Sequence, residues 1–277
     1  MCNPPRQVAL LSALVLGVNA LLVAAPANAV TVWGEDWQAN GDATVISSTH
    51  IELTPNAQDQ VGSAWVTTPL AVTDSSAFSA SFEFRISGSD EDFGPGDGMA
   101  FVIHGNDANA IGSGGGDLGY GGGGIGGNLL AVEFDTWACC DEEPAPHVAI
   151  HLNGNNVPGG GESALEASPY GLVRGNAYSN LFAWVDFDPG STTLSVFLND
   201  SNVKPGTALL SFIVGSGLQS FIGNEITFGF TASTGAASSL HEVFNFSTTP
   251  VPLPAAAWLL LSGLAGLGFV GRRRTTA

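Results

Sequence analysis

The feature that most constrains the fold is a segment between Ala77 and Ile86 in which apolar and polar side chains alternate. Side chains in a β-strand point alternately to opposite faces of the sheet, so this segment has one apolar and one polar face. Such a pattern favours a sandwich of antiparallel sheets over a parallel sheet covered by helices. The apolar face consists of Phe78, Ala80, Phe82, Phe84 and Ile86, and the polar face of Ser79, Ser81, Glu83 and Arg85.

Further short alternating segments lie between clusters of Gly, Asn, Asp and Ser, and they also predict strands. No convincing amphipathic helix is found between Val30 and Ser247. About 220 residues are enough for one all-β domain with a single large core. The clearest additional strands are predicted at Gly98–His104, Leu129–Trp137, His147–Asn153, Leu181–Phe187, Thr192–Leu198, Glu225–Ala232 and Glu242–Phe246.

One of these strands carries two carboxylates on the same face. Glu133 and Asp135 are two residues apart, so they point in the same direction, and Asp141 and His147 follow. Neighbouring carboxylates repel each other, and a divalent cation would remove that penalty. Oxygen ligands with one imidazole suit manganese, calcium or zinc. From the spacing alone, an exposed acidic strand edge explains the pattern equally well.

The two ends of the chain carry export signals. Residues 1–29 have a basic start at Arg6, an apolar stretch and an A-x-A site at Ala27–Ala29, which predicts a secretory signal peptide. Residues 249–277 contain Val251-Pro252-Leu253-Pro254, an apolar run and the basic residues Arg272, Arg273 and Arg274. This tail resembles a PEP-CTERM sorting signal of Gram-negative bacteria, with Leu253 where the commonest motif has Glu. The resemblance implies an exosortase-type protease as a partner, transient membrane anchoring through the tail, and a cell-surface or extracellular body; a plain single-span anchor is the alternative.

The segment between the two signals, residues 30–248, is strongly acidic. All 25 acidic residues fall between Val30 and Pro250, with Arg85, Arg174 and Lys204 as the basic residues there, so its formal charge is 3 − 25 = −22. Phosphate binding requires clustered Lys and Arg, so no nucleic acid is expected as a partner. Only the pair Cys139 and Cys140 remains after signal cleavage, so a disulfide framework is absent.

Four sequence blocks, in order, carry a resemblance to one family. They are Gly96-Asp97-Gly98-Met99-Ala100-Phe101, Gly114-Gly115-Gly116-Asp117-Leu118-Gly119, Ala131-Val132-Glu133-Phe134-Asp135-Thr136-Trp137, and Gly229–Gly235 followed by His241-Glu242-Val243. Together they resemble the L-type, or legume-lectin-like, lectins over residues 30–248. The resemblance implies an all-β, concanavalin-like jelly-roll of two antiparallel sheets, followed here by the short apolar helix of the tail.

The resemblance also implies a metal site and a sugar site. Glu133, Asp135, Asp141 and His147 match the ligands of a manganese-like transition metal, and Asp135, Asp141 and the main-chain carbonyl of Trp137 match calcium ligands. Where the family has an Asn that binds calcium and sugar, this chain has Cys139 or Cys140, and Glu142 or Glu143 is the candidate substitute. Asp97, after a cis peptide in the family, and Gly116 match the two most dependable sugar contacts. The matching sugar-site set is Asp97, Gly115, Gly116, Gly235 and Ala236.

Three functions follow as hypotheses. The first is a metal-dependent, non-enzymatic protein that binds a glycan or exopolysaccharide, with several copies side by side, as in a homo-oligomer, raising its avidity. The second is a structural surface-matrix protein that has lost sugar binding. The third is a glycoside hydrolase, which needs two carboxylates flanking the bond. In one laminarinase-like pattern, Glu133-x-Asp135 would be followed by a further Glu where this chain has Ala138, so no catalytic residue is predicted.

Overall fold

The computed structural model describes residues 37–105, 107–137, 146–153, 162–173 and 180–248. Two antiparallel sheets account for its strands. The front sheet contains β1 (Trp37–Gly41), β4 (Val61–Val66), β5 (Leu70–Ala71), β7 (Gly98–His104), β8 (Leu129–Asp135), β9 (His147–Leu152), β10 (Glu162–Ala167) and β14 (Glu225–Ser233). The back sheet contains β2 (Thr44–Ser47), β3 (His50–Thr54), β6 (Phe78–Ser87), β11 (Leu181–Asp188), β12 (Thr193–Asn199), β13 (Leu210–Ile213) and β15 (Leu240–Thr248).

The strand order is β1-β4-β14-β7-β8-β9-β10 in the front sheet, with β5 paired to β14. In the back sheet it is β13-β12-β11-β6-β15-β3-β2. This arrangement is the two-sheet jelly-roll sandwich that the sequence predicts. One short helix, α1 (Leu218–Phe221), is the only α-helix among the described residues, and none of their helices has the length and apolar character needed to cross a membrane. The two predicted export signals lie outside the described residues.

The main core lies between the sheets, and it forms because β6 alternates as predicted. Its side chains are buried and half-buried in strict turn. Phe82 and Phe84 contact Phe134 of the front sheet, with ring centroids 6.0 and 4.4 Å apart. Phe230 of β14 meets Phe82 at 4.9 Å in an edge-to-face arrangement. Aromatic pairs of this kind stabilise a core by about 0.5–1.5 kcal/mol beyond the burial of their area.

The outer face of the front sheet is also covered, by the segment 105–128. Leu118, Tyr120 and Ile125 of this segment form a second apolar cluster with side chains of β4, β7 and β8. The carbonyl of Ala110 accepts hydrogen bonds from Nε1 of Trp65 at 2.6 Å and from Oγ of Ser63 at 2.8 Å, which attaches the segment to β4. As a result, every residue of β7 and β8 is buried. Polar side chains on the outer face of β8 therefore lie in an enclosed environment.

The predicted strands all exist, with ends displaced by up to two residues. β8 ends at Asp135 rather than Trp137, and β15 runs from Leu240 to Thr248 rather than from Glu242 to Phe246. Seven further strands, β1 to β5, β10 and β13, are not among those predicted from the sequence. Most of these are short, and β1, β10, β13 and β2 are the sheet edges, where one side of the strand has no partner and alternation is weak.

Candidate functional site

The predicted metal ligands converge on the outer face of the front sheet. In the register of β8 and β9, Asp135 lies opposite His147 and Glu133 lies opposite Ala149. One ligand atom from each of Glu133, Asp135 and His147 lies within 4.8 Å of the others, and all three side chains are buried. Three of the four predicted transition-metal ligands are therefore brought together. Asp141, Cys139, Cys140, Glu142 and Glu143 lie outside the described residues.

The structure adds two further side chains to this cluster. Nε2 of His151 lies 2.9 Å from Oε1 of Glu133, and Nε2 of His147 lies 3.2 Å from the same oxygen. The phenol of Tyr120, in the covering segment, donates to Oε2 of Glu133 at 2.7 Å. His151 is not among the metal ligands predicted from the sequence. Its spacing of four from His147 places both on one strand face, which is the signal that could have identified it.

These contacts control the charge of Glu133. Burial alone would raise the pKa of its carboxyl, but hydrogen bonds from His147, His151 and Tyr120 hold the pKa down, at about 2. The carboxylate is therefore ionised at neutral pH although it is buried. Arg85 and Lys204, the basic residues among those described, pair with Glu242 and Asp186 instead. Two buried carboxylates with an imidazole, without a Lys or Arg, form a donor set that fits a divalent cation.

A second cluster surrounds Asp97, whose peptide bond to Gly96 is cis. The side chain of Asp97 is buried, and the backbone N–H of Gly235 donates to its carboxylate. A β-carbon at Gly115 would lie 3.5 Å from Oδ2 of Asp97, and one at Gly235 would lie 3.1 Å from it. Gly115 has a φ of +63°, a conformation that glycine adopts at little cost. Asp97, Gly115 and Gly235 thus lie side by side.

The remaining predicted sugar-site residues flank this cluster. Gly116 lies in the 3₁₀ turn Gly115–Asp117, directly after Gly115. The carbonyl of Ala236 accepts a hydrogen bond from Nε2 of Gln58 at 2.6 Å. Burial raises the pKa of Asp97 to about 6, against the opposing hydrogen bond from Gly235. A carboxylate beside backbone groups of glycine can accept two hydroxyl hydrogen bonds while the main chain approaches a ligand closely.

The metal cluster and the Asp97 cluster are joined through the main chain. The backbone N–H and the hydroxyl of Thr136 both donate to the carbonyl of Asp97, at 2.9 and 2.8 Å. Thr136 directly follows Asp135, and the N–H of Trp137 donates to Oδ1 of Asp135 at 2.6 Å. Gly98 lies opposite Asp135 in the β7–β8 register. Movement of Asp135 would therefore be transmitted to the backbone that carries Asp97.

The chain belongs to a known family. The family model described as the legume lectin domain matches residues 34–256. This confirms the resemblance of the four sequence blocks to the L-type lectins and defines the class as a legume-type lectin domain.

Two proteins of Arabidopsis thaliana with lectin domains are similar in sequence to this chain. The lectin-domain receptor kinase VIII.1 of Arabidopsis thaliana is 32% identical over 178 residues, which is 62% of this chain and 24% of that protein. Receptor kinase IV.3 of the same plant is 30% identical over 224 residues, 75% of this chain and 32% of its own. The chain thus spans about a quarter to a third of the length of these kinases.

Solved structures share the fold. Basic winged bean lectin with Tn-antigen superposes with a TM-score of 0.64 at 24% identity, covering 80% of this chain and 94% of that one. The exoplasmic or lumenal domain of VIP36 in its Ca²⁺/Man3GlcNAc-bound form has a TM-score of 0.57 at 19% identity, covering 79% and 88%. At these identities the likeness establishes the fold.

Proposed function

We propose that this protein is an exported, metal-dependent carbohydrate-binding protein of a bacterial cell surface or extracellular matrix. The observation that carries the proposal is the meeting of Asp97 with Gly115 and Gly235 next to the cluster of Glu133, Asp135 and His147. Family membership supports it, since the chain is a legume-type lectin domain. The predicted signal peptide and sorting tail support export, with a glycan or exopolysaccharide as the ligand.

In this proposal the residues of the pocket have distinct roles. The Asp97 carboxylate accepts hydrogen bonds from two sugar hydroxyls, and the backbone at Gly115 and Gly116 approaches the ring. Gly235 and Ala236 form the wall that selects the sugar. Glu133, Asp135 and His147, with Asp141 and the carbonyl of Trp137, hold a manganese-like ion and calcium. When bound, these ions supply positive charge that fixes the ligands on β8 and β9.

Binding, rather than chemistry, is the proposed activity. Glycoside hydrolysis requires a pair of carboxylates flanking the scissile bond, and this chain has Ala138 where the laminarinase-like pattern has its further Glu. Glu133 and Asp135 lie under the covering segment with buried side chains, so a glycosidic bond has little access to them. A structural matrix protein that has lost sugar binding remains the second candidate, favoured by Cys139 and Cys140 where the family has Asn.

The test is sugar binding by the purified mature chain, measured on a glycan array and by calorimetry, with and without chelator. We expect saturable binding that chelator abolishes and that Asp97→Ala removes. Asp200→Ala is the matched control, because it removes an exposed acidic side chain directly after the end of β12 in the back sheet. Absence of binding in the wild type would favour the structural matrix protein, whereas binding that is unchanged in Asp97→Ala would show that the sugar site does not include Asp97.

A further inference from the structure

An exposed aromatic side chain lies on the turn that precedes Asp97 in the chain. Phe93 is 51% exposed and is one of four large exposed apolar side chains among the described residues. The other three are Ile46, Val203 and Ile213; Ile46 and Ile213 lie on β2 and β13, the edge strands of the back sheet, and Val203 lies in the loop between β12 and β13. Phe93 precedes Asp97 by four residues, so their α-carbons are at most about 14 Å apart. Phe93 is thus the only one of the four that lies close to Asp97 in the sequence.

Phe93 lies on a tight turn with fixed geometry. Asp90 and Gly94 exchange two backbone hydrogen bonds, at 2.9 and 3.1 Å. The side chain of Asp90 closes the turn from inside, because its Oδ1 accepts from the N–H of Asp92 at 2.9 Å and from that of Phe93 at 3.0 Å. The backbone of such a turn loses little conformational freedom when a ligand binds to it.

The turn is also attached to the wall of the pocket. Nε2 of Gln58 donates to Oδ2 of Asp90 at 3.2 Å and to the carbonyl of Ala236 at 2.6 Å. The N–H of Ser238 donates to the carbonyl of Gly94 at 3.4 Å. Through these bonds the Phe93 turn and the 234–239 loop form one continuous rim, and Gly235 of that loop borders Asp97.

We propose that Phe93 forms a second sugar subsite, which stacks on the ring that follows the sugar held by Asp97. This inference rests on the proposed carbohydrate binding and specifies its ligand as an oligosaccharide chain rather than a single sugar. An aromatic face offers an apolar surface to the C–H groups of a sugar ring, and it needs no hydrogen-bond partner.

The acidic residues on the same turn indicate which kind of sugar the subsite would bind. Glu91 and Asp92 are exposed neighbours of Phe93, and Asp90 lies in the same turn. Carboxylates on the same turn as Phe93 repel an anionic sugar at low ionic strength, and salt screens that repulsion. The subsite therefore takes neutral sugars in preference to uronic acids.

The experiment compares ligand lengths on the full mature chain. The probes are the methyl glycosides of glucose, galactose, mannose and N-acetylglucosamine, their neutral trisaccharides, and trigalacturonic acid. For the sugar that binds, we expect the trisaccharide to bind wild type more tightly than the methyl glycoside. Phe93→Ala should weaken trisaccharide binding by roughly fivefold to tenfold and leave the methyl glycoside unchanged. Trigalacturonic acid should bind more weakly than its neutral counterpart, by a margin that narrows as salt is added.

Two variants provide the controls. Phe93→Trp should retain trisaccharide affinity, and its fluorescence should shift to the blue when the trisaccharide binds but not when the methyl glycoside binds. Ile213→Ala removes a large apolar side chain that is 66% exposed at the far edge of the back sheet, and it should change neither affinity.

The outcomes separate this inference from the proposed function. Suppose that Asp97→Ala abolishes binding, but Phe93→Ala leaves trisaccharide affinity unchanged or weakens the binding of trisaccharide and methyl glycoside equally. The proposed Phe93 subsite is then wrong, and the proposed sugar site at Asp97 is still supported. If no probe binds wild type, both proposals fall.

Discussion

Tyr120 donates its phenolic hydrogen bond to Oε2 of Glu133 across 2.7 Å, and this contact connects the glycine-rich segment to β8. Tyr120 follows the 3₁₀ turn that carries Gly115, and its N–H donates to the carbonyl of Asp117 in that turn. The turn Gly115–Asp117 is therefore connected to Glu133, a proposed metal ligand, through the buried side chain of Tyr120. Together with the hydrogen bonds from Thr136 to the carbonyl of Asp97, this gives two connections between the two clusters.

The first prediction concerns this contact. Tyr120→Phe removes the hydroxyl and leaves one oxygen of a buried carboxylate without its donor, which costs about 1.5–3 kcal/mol of stability. Loss of a side chain that orients a metal ligand lowers metal affinity by roughly 10- to 100-fold. Calorimetric titration with Mn²⁺ measures the affinity. Tyr170→Phe, which removes the hydroxyl bonded to Asn199 on the back sheet, should leave it unchanged; equal affinities in the two variants would contradict the link.

The second prediction concerns metal removal. A cation that binds only the folded protein raises the free energy of unfolding, by about 2.7 kcal/mol at a free concentration 100 times its dissociation constant. We expect Mn²⁺ to raise the Tm of wild type and chelator to lower it. Glu133→Gln keeps the size of the side chain but loses the charge, so its Tm should not respond to Mn²⁺. If Mn²⁺ raises the Tm of wild type and of Glu133→Gln by the same amount, Glu133 is not a metal ligand.

The third prediction concerns pH. Because burial raises the pKa of Asp97 to about 6, the ionised form that accepts two hydroxyls prevails above that pH and is lost below it. Sugar affinity should be constant above about pH 7 and fall roughly tenfold by pH 5, when about a tenth of Asp97 remains ionised. Titrations at fixed Mn²⁺, with metal content measured at each pH, test this. Asp97→Asn should bind weakly at every pH, and a wild-type slope that persists in this variant would assign the titration to another group.

Asp97 also affects the free energy of unfolding, but its pH dependence is opposite to that of sugar affinity. Its pKa in the folded state lies above the unfolded value, so the folded protein binds more protons between about pH 4 and pH 6. The contribution of Asp97 to stability is therefore largest at acid pH and decreases as pH rises through 6. The pocket is thus most favourable for sugar at a pH where its carboxylate is least favourable for folding.

The fourth prediction concerns the close approach of Gly235 to Asp97. Gly235→Ala places a β-carbon 3.1 Å from Oδ2 of Asp97, tighter than ordinary van der Waals contact, so the carboxylate or the loop must shift. Overpacking of this kind costs about 1–3 kcal/mol, and a penalty of that size in the sugar-binding form of the pocket lowers sugar affinity by roughly 5- to 150-fold. Calorimetry with the sugar identified on the array measures it. Gly206→Ala, where a β-carbon meets nothing within 4 Å, is the matched control; similar affinities in the two variants would argue against a tight pocket.

Local pattern determined much of this protein. Alternation in β6 predicts a strand with one buried face, because side-chain direction in a strand depends only on position. The same rule places Glu133 and Asp135 on one face before any partner strand is known. The four sequence blocks then identify the lectin class, since each contains residue types needed for a close backbone approach or for a ligand.

Only the tertiary structure decided which of these residues meet. The contact of Tyr120 with Glu133 depends on how the 105–128 segment folds over the front sheet, and that of His151 depends on the register of β8 and β9. The position of Phe93 depends on Gln58, which is bonded to both Asp90 and Ala236. These contacts join residues distant in sequence, so their geometry is set by strand pairing and loop packing and no periodicity encodes it. The edge strands were missed for a related reason: pairing with a neighbour, rather than their own alternation, stabilises them.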